Sequence, residues 1–170
     1  MAFDKKTISF DLRPVTAADD EFLLKLYGTT REDEMNAAGF SPEQREQFVK
    51  MQFTAQKNHY ENFFPNSIHR IITTDGKPIG REYVFRSEIE ILVLDLLLLP
   101  EFCGFGIGTT LLEKFFDESR RTKIPVRLHA DKGNERALNL YLRLGFYQIE
   151  ELDFYYFLEW SEEKSEKVEK

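Results

Sequence analysis

Apolar and polar residues at the start of the chain predict a β-strand followed by a helix. The two kinds of residue alternate over residues 7–13, and a period of two is typical of a half-buried strand. Thr16 can cap the helix that follows. One face of this helix is apolar and consists of Phe22, Leu23, Leu26 and Tyr27. Residues 29–40 are polar and show no period, so we expect them to be irregular.

A longer helix is predicted to run from residue 41 to about residue 61. Ser41 and Gln44 have the spacing of a capping box, and Pro42 occupies the first helical position. Apolar residues recur along this segment at helical spacing, so we expect them to pack into the core. These residues are Phe48, Met51, Ala55 and Tyr60.

Three strands are predicted in the middle of the chain. Residues 67–74 and 77–85 form a hairpin, because Asp75 and Gly76 between them are the dipeptide that a tight turn favours. A third strand covers residues 88–99, and from residue 92 onward only Asp95 interrupts its apolar run. Such a run is typical of a central strand that is buried on both faces.

Helices and strands alternate in the remaining part. Helices are predicted over residues 106–121 and 134–144, and strands over residues 124–130, 146–151 and 154–159. Antiparallel strands followed by strand-helix-strand units predict an α/β (α+β) fold, a mixed and largely antiparallel central sheet flanked by helices on both faces. A chain of 170 residues suits a single domain, which we expect over residues 1–160. Residues 161–170 are mostly charged and are expected to be a disordered tail.

Charge, cysteine content and the length of apolar stretches exclude several classes of protein. The formal net charge of −7 argues against nucleic acid as a partner. The single cysteine excludes an internal disulfide framework. The longest apolar stretch, residues 89–100, is too short to cross a membrane, so we expect a cytoplasmic protein without a membrane partner.

The segment after the central strand has the composition of an anion site. A glycine-rich turn leads there into an amphipathic helix, whose N-terminal N–H groups and dipole attract a phosphate or pyrophosphate. No lysine follows Gly108, so the turn is not a nucleotide P-loop, and the glycines do not have the spacing of a dinucleotide fingerprint. A glycine-rich loop that binds no ligand is the alternative. The turn consists of Cys103, Gly104, Phe105, Gly106, Ile107, Gly108 and Thr109.

A second motif follows one strand later, with the form Asn-x-x-Ala-x-x-x-Tyr-x-x-x-Gly-Phe. Its fixed positions are Asn134, Ala137, Tyr141, Gly145 and Phe146. The two motifs, in this order and about 25 residues apart, resemble the two signatures of the GNAT N-acetyltransferases. The resemblance covers roughly residues 68–160. It implies a GNAT-like acyl-CoA N-acyltransferase fold. It also implies an enzyme that transfers an acetyl group from acetyl-CoA directly to a primary amine, with both substrates bound in a ternary complex.

The resemblance also assigns roles to residues. The turn would bind the pyrophosphate, with Asn134 as a further contact, and Tyr141 would protonate the departing thiolate of CoA. In this family the central strand diverges from its neighbour, so that its main chain can pair with the pantetheine arm. The main chain of Leu97, Leu98 and Leu99 would do so here. Simple core packing by the leucines and Tyr141, and a helix cap by Asn134, are the structural alternatives.

The general base is less defined. His129 occupies a position at which some family members that acetylate protein N-termini carry a glutamate base, and imidazole titrates in the useful range. An ordinary strand histidine is the alternative. Glu90 is a second candidate by analogy, although its register matches the family poorly.

The turn departs from the family at two positions, because Cys103 stands where the family has Arg or Gln, and Phe105 stands at a variable position that is often basic. Losing such contacts should weaken CoA binding rather than abolish it, since an exposed ion pair contributes about 1 kcal/mol or less. The departure favours one alternative, a non-catalytic acyl-CoA-binding sensor or interaction module. A structural protein with a vestigial turn is another. No motif supports Cys103 as a nucleophile.

Other polar residues carry weaker signals. His59 and His69 lack metal-ligand spacing, and no metal is expected. Glu32, Asp33 and Glu34 form a solvated charged run or an acidic rim for a cationic acceptor. We expect the acceptor to be a small-molecule or peptide amine. Related proteins are often dimers, which leaves a homodimer open.

Overall fold

The computed structural model describes the backbone of residues 8–168 and the side chains of residues 8–165. The first residue of the predicted N-terminal strand and the last two residues of the predicted tail lie outside this range. The strands are β1 (Asp11–Pro14), β2 (Ile68–Thr74), β3 (Lys77–Arg86), β4 (Ile91–Leu98), β5 (Val126–Asp131), β6 (Tyr147–Glu151) and β7 (Tyr155–Trp160). The helices are α1 (Asp20–Thr29), α2 (Glu32–Ala38), α3 (Pro42–Phe63), α4 (Ile107–Thr122), α5 (Glu135–Arg143) and α6 (Glu162–Val168).

The strands form one seven-stranded mixed sheet in the order β1-β2-β3-β4-β5-β7-β6. β1 pairs antiparallel with β2, and β7 pairs antiparallel with both β5 and β6. β4 and β5 are parallel, because α4 connects them as a crossover. The predicted mixed, largely antiparallel sheet with flanking helices is confirmed.

The chain divides into two compact units. The first comprises the residues up to Tyr83 together with Asp95–Phe105, and the second comprises Val84–Leu94 and the residues from Gly106 onward. The predicted single domain over residues 1–160 stays a prediction. Among the helices of residues 8–168, none has the length and apolar character that a membrane span requires.

The first unit contains the predicted hairpin and the first predicted helix. Asp75 and Gly76 both have positive φ, at 48° and 73°, as the tight turn between β2 and β3 requires. Thr16 caps a short 3₁₀ turn that leads directly into α1. The apolar face of α1 is buried through Leu23, Leu26 and Tyr27.

Two expectations about the helices of this unit are wrong. Residues 29–40 are not irregular, because α2 forms there around the buried side chain of Met35 and ends at Gly39 with φ of 65°. A helix of seven residues needs only one apolar anchor, so its pattern shows no period. In α3 no residue is fully buried, and Met51, placed in the predicted core stripe, is 60% exposed.

The second unit has a well-defined core. α4 buries one face, and β5 alternates buried and accessible side chains. The ring of Phe116 on α4 stacks on Trp160 of β7 with centroids 4.2 Å apart. In the predicted tail the structure contains α6, whose first turn carries Glu162 and Glu163 at the positive end of the helix dipole. Lys123 forms an ion pair with Glu162 at 2.8 Å, which ties α6 to the C-terminal end of α4.

Candidate active site

The turn after β4 has the backbone that its glycines predicted. Gly104 and Gly106 have φ of 87° and 83°, values that glycine adopts without steric strain. The first intrahelical hydrogen bond of α4 runs from the N–H of Thr110 to the carbonyl of Gly106, at 2.9 Å. The N–H groups of Ile107, Gly108 and Thr109 therefore precede the hydrogen-bonded ladder of the helix, as at any helix start.

Open space adjoins this helix start. A Cβ atom built on Gly106 or Gly108 would meet no heavy atom within 4 Å. Glycine is therefore required at position 106 for its backbone angle, whereas at Gly108 it leaves room without being needed for backbone geometry. A group with oxygen acceptors fits there, since the helix start offers N–H donors and a positive dipole end. The roles of Cys103 to Thr109 in binding stay predictions.

Cys103 contacts the end of β4. Its half-buried thiol points at the carbonyl oxygens of Leu99 and Leu98, with S–O distances of 3.6 and 3.9 Å. The N–H of Leu99 donates to the carbonyl of Ile79 on β3 at 2.8 Å. These contacts hold the main chain of Leu98 and Leu99, which the sequence predicts to pair with the pantetheine arm.

Gly80 is a residue of this region that sequence reasoning missed. A Cβ atom at this position of β3 would lie 2.4 Å from the carbonyl oxygen of Leu97 and 2.8 Å from the side chain of Leu98. Only glycine lets β3 approach β4 so closely. The available signal was an isolated glycine inside a strand pattern, which often marks a close backbone approach.

The parallel pairing of β4 with β5 covers only part of both strands. The register joins Ile91 to Val126 and ends with Val93 opposite Leu128. β4 runs on to Leu98, and β5 runs on to Asp131 while pairing with β7. The register therefore ends before the part of β4 that was predicted to pair with the donor.

His129 lies on β5, with its ring stacked on Phe157 at a centroid distance of 4.4 Å. Partial burial lowers the pKa of His129 below its ordinary value of 6.5, and the carboxylates of Glu90 and Glu150 oppose this shift. The imidazole is therefore neutral at pH 7 and can accept a proton. Its role as the base stays a prediction.

Glu90, the second candidate base, is an ion-pair partner. Nη1 of Arg127 lies 3.2 Å from a carboxylate oxygen of Glu90, and Nε of the same guanidinium lies 2.7 Å from Glu159. The two carboxylates therefore share one guanidinium. This arrangement favours a structural role for Glu90 over proton transfer.

The second motif folds as a capped helix. The side-chain oxygen of Asn134 accepts a hydrogen bond from the N–H of Ala137 at 3.1 Å, so the predicted cap is present. The ring of Tyr141 packs edge-on against Phe146, with centroids 5.6 Å apart. The carbonyl of Tyr141 accepts the N–H of Phe146 at 3.0 Å, which closes the end of α5. Roles for Asn134 and Tyr141 toward a donor stay predictions.

The remaining singled-out residues lie elsewhere. His59 packs against Phe63 on the surface of α3, and His69 stacks on Tyr83. Glu32, Asp33 and Glu34 form the first turn of α2, where Arg31 pairs with Glu34 and Arg45 pairs with Glu32. Within the described part of the chain, no three His, Cys, Asp or Glu side chains are grouped so that they could hold a metal ion.

The mixed sheet, the glycine turn after its central strand and the helix that follows have the arrangement of a GNAT-like fold. The model of the Acetyltransferase (GNAT) family matches residues 32–146, about two thirds of the sequence. The chain belongs to this family, and it is an acyltransferase enzyme. No match was found among curated proteins.

Solved structures with the same fold include several N-acetyltransferases. The PaiA N-acetyltransferase of Thermoplasma acidophilum, in complex with coenzyme A, has a TM-score of 0.68 at 19% identity, with 91% of this chain and 99% of that chain covered. An acetyltransferase of Streptococcus agalactiae has a TM-score of 0.64 at 18% identity, with 91% and 98% covered. The spermidine N-acetyltransferase of Vibrio cholerae, in complex with CoA and spermine, has a TM-score of 0.60 at 18% identity, with 92% and 97% covered. At these identities the likeness shows the fold alone.

Proposed function

We propose that this enzyme transfers an acetyl group from acetyl-CoA directly to a primary amine, while donor and acceptor are bound together. The observation that carries the proposal is the helix start at Gly106, where positive φ at Gly104 and Gly106 opens the turn beside the N–H groups of α4. The CoA-bound relative from T. acidophilum supports a CoA-type donor. The spermine in the V. cholerae structure supports an amine acceptor.

In the proposed reaction the amine nitrogen attacks the thioester carbonyl carbon. The new C–N bond forms as the C–S bond breaks, and the electron pair of that bond leaves with sulfur. His129 takes the proton that nitrogen loses, and Tyr141 gives a proton to the thiolate. The acid contributes modestly, because a thiol of pKa about 8.5 leaves fairly well without help.

The demand on His129 depends on the acceptor. Deprotonation of a lysine ammonium with pKa about 10.4 costs about 4 to 5 kcal/mol at pH 7, whereas an α-amine with pKa near 8 costs about 1 kcal/mol. A partly exposed imidazole with a lowered pKa is a weak base. Its chemistry therefore favours an acceptor whose amine has a low pKa, such as a peptide α-amine, over a lysine side chain.

The test separates donor binding from turnover. Thermal unfolding is measured with and without acetyl-CoA and with CoA, since ligand at 100 times its Kd adds about 2.7 kcal/mol to the free energy of unfolding. Turnover is then measured with a polyamine, an amine-bearing antibiotic, and peptides that carry either a free α-amine or only a lysine amine. CoA is quantified by chromatography, because the free thiol of Cys103 interferes with thiol reagents.

Variants assign the acid. Tyr141→Phe should lower kcat with little change in acetyl-CoA affinity, whereas Tyr155→Phe, which removes a hydroxyl from an exposed position of β7, should leave kcat unchanged. Donor binding without turnover of any amine would support the acyl-CoA sensor, which Cys103 and Phe105 at the turn favour. No stabilisation by either ligand at millimolar concentration would refute the donor site.

A further inference from the structure

A cavity of about 350 Å³ lies in the first unit, between α1, α3 and the strands β2 and β3. Four of the twelve residues that line it carry rings: Phe53, Tyr60, His69 and Tyr83. This volume is within the range of small-molecule sites. None of the residues predicted to bind the acyl donor lines it, so the cavity is not part of the site described above.

One polar atom in this wall has no partner. The ring of His69 stacks on Tyr83 with centroids 4.2 Å apart and planes within 6°. Nε2 of His69 is buried, and within the described residues it forms no hydrogen bond. Buried polar atoms in folded proteins nearly always have a partner. Burial, together with the positive charges of Arg81 and Lys57, lowers the pKa of His69 to about 4, so the ring is neutral and one of its nitrogens is an acceptor.

The charged residues of the wall leave an excess of carboxylate. Asp20 and Glu61 both line the cavity, and neither forms an ion pair with another described residue. Of the two cations in the wall, Arg81 is engaged by Asp95, in an ion pair, and by the side chain of Gln56. Lys57 alone opposes the two carboxylates. With Arg81 paired to Asp95, the two carboxylates and Lys57 leave a formal charge of −1, which favours a cation beside Asp20 and Glu61.

We propose that this cavity binds a small ligand with an ammonium group and an apolar body. The ammonium lies near the carboxylates of Asp20 and Glu61, and one of its N–H groups donates to Nε2 of His69. The rings of Phe53 and Tyr60 contact the body of the ligand and attract the cation through their π-faces. The proposal does not depend on the acyl-transfer reaction, because it uses none of the residues assigned to it.

The histidine ring reports binding directly. The full chain is labelled with ¹³C in the histidine rings and titrated with benzylamine, without acetyl-CoA, at pH 7.5. The chain has three histidines, and the spectrum of His69→Phe identifies the signal of His69. Benzylamine should shift the His69 signal saturably, and the same shift should persist in His129→Gln, because a primary amine can also bind at the proposed acceptor site beside His129. Benzyl alcohol, which has the same shape without the charge, should bind about fivefold more weakly, the loss expected for one ion pair of about 1 kcal/mol.

Carboxylate variants test the charge. Glu61→Gln should weaken benzylamine binding by about fivefold, and Asp20→Asn provides a second, independent test if the first variant does not fold. Glu43→Gln is the matched control, because Glu43 lies on the same helix outside the cavity. An unchanged His69 signal, equal shifts with the amine and the alcohol, or equal affinity in the carboxylate variants would overturn the proposal. Thermal stabilisation by acetyl-CoA is measured separately, so failure here leaves the proposed reaction untouched.

Discussion

Substituting alanine for Gly108 separates the stability of the fold from donor binding. Gly108 is the second residue of α4, and its backbone does not have positive φ. An added methyl group meets no atom within 4 Å. Alanine is more favourable than glycine inside a helix by about 0.5–1 kcal/mol, so the free protein should gain about 0.5 kcal/mol at this terminal position.

The same methyl group occupies the space to which the pyrophosphate is assigned. If it weakens binding tenfold, acetyl-CoA at 100 times the wild-type Kd becomes only 10 times the Kd of the variant. The ligand-induced stabilisation then falls from about 2.7 to about 1.4 kcal/mol. A chain of this length gains about 2–4 °C in Tm per kcal/mol, so the shift decreases from about 5–11 °C to about 3–6 °C.

Gly28→Ala is the matched control for this experiment. Gly28 lies in α1, and an added Cβ would make ordinary contacts of 3.6 and 3.7 Å with Val49. This variant should also raise Tm, while its shift with acetyl-CoA stays at the wild-type value. Differential scanning fluorimetry over a series of acetyl-CoA concentrations measures both effects. An undiminished acetyl-CoA shift in Gly108→Ala would refute the assignment of the pyrophosphate to this helix start.

Three further predictions concern β3, the proposed base and the cavity. Gly80→Ala should lower the free energy of unfolding by about 3 kcal/mol, measured by urea denaturation, because its methyl group would overlap the carbonyl oxygen of Leu97. A loss below about 1 kcal/mol would contradict the close approach of β3 to β4 at this position. His129→Gln should lower kcat about 100-fold while the affinity for acetyl-CoA stays unchanged. In the wild type, kcat should rise with pH below pH 6.5, because only the neutral ring acts as a base. The same rise of kcat with pH in the variant would exclude His129 as the base. The pKa of His69 is about 4 in the folded chain against 6.5 in the unfolded chain, so the unfolded state binds the proton first and stability falls as the pH drops from 6.5 toward 4. His69→Phe should remove about 1–2 kcal/mol of the stability lost between pH 7 and pH 5. If the urea midpoint falls by the same amount between pH 7 and pH 5 in both proteins, this reasoning is wrong.

Much of the fold follows from local sequence, because its signals act over a few residues. The capping box at Ser41 starts α3 as expected, and the dipeptide at Asp75 forms the turn between β2 and β3. The errors occur where tertiary packing decides. One buried methionine, Met35, is enough to anchor α2, and the accessible side of α3 carries apolar residues such as Met51 at helical spacing. A period in the sequence identifies a helix but does not say which face is covered.

The candidate donor site could be predicted from local sequence, whereas the cavity could not. The donor turn depends on main-chain geometry, and glycines at fixed spacing record that geometry in the sequence. The cavity depends on side chains from four elements, and His69 and Tyr83 are 14 residues apart on strands that place their rings in contact. No spacing rule connects Asp20 on α1 with Glu61 on α3, so only the folded chain reveals that both carboxylates line one cavity with an unpartnered histidine nitrogen. Donor chemistry in this chain can therefore be inferred from motifs, whereas ligand choice at the cavity has to be inferred from packing.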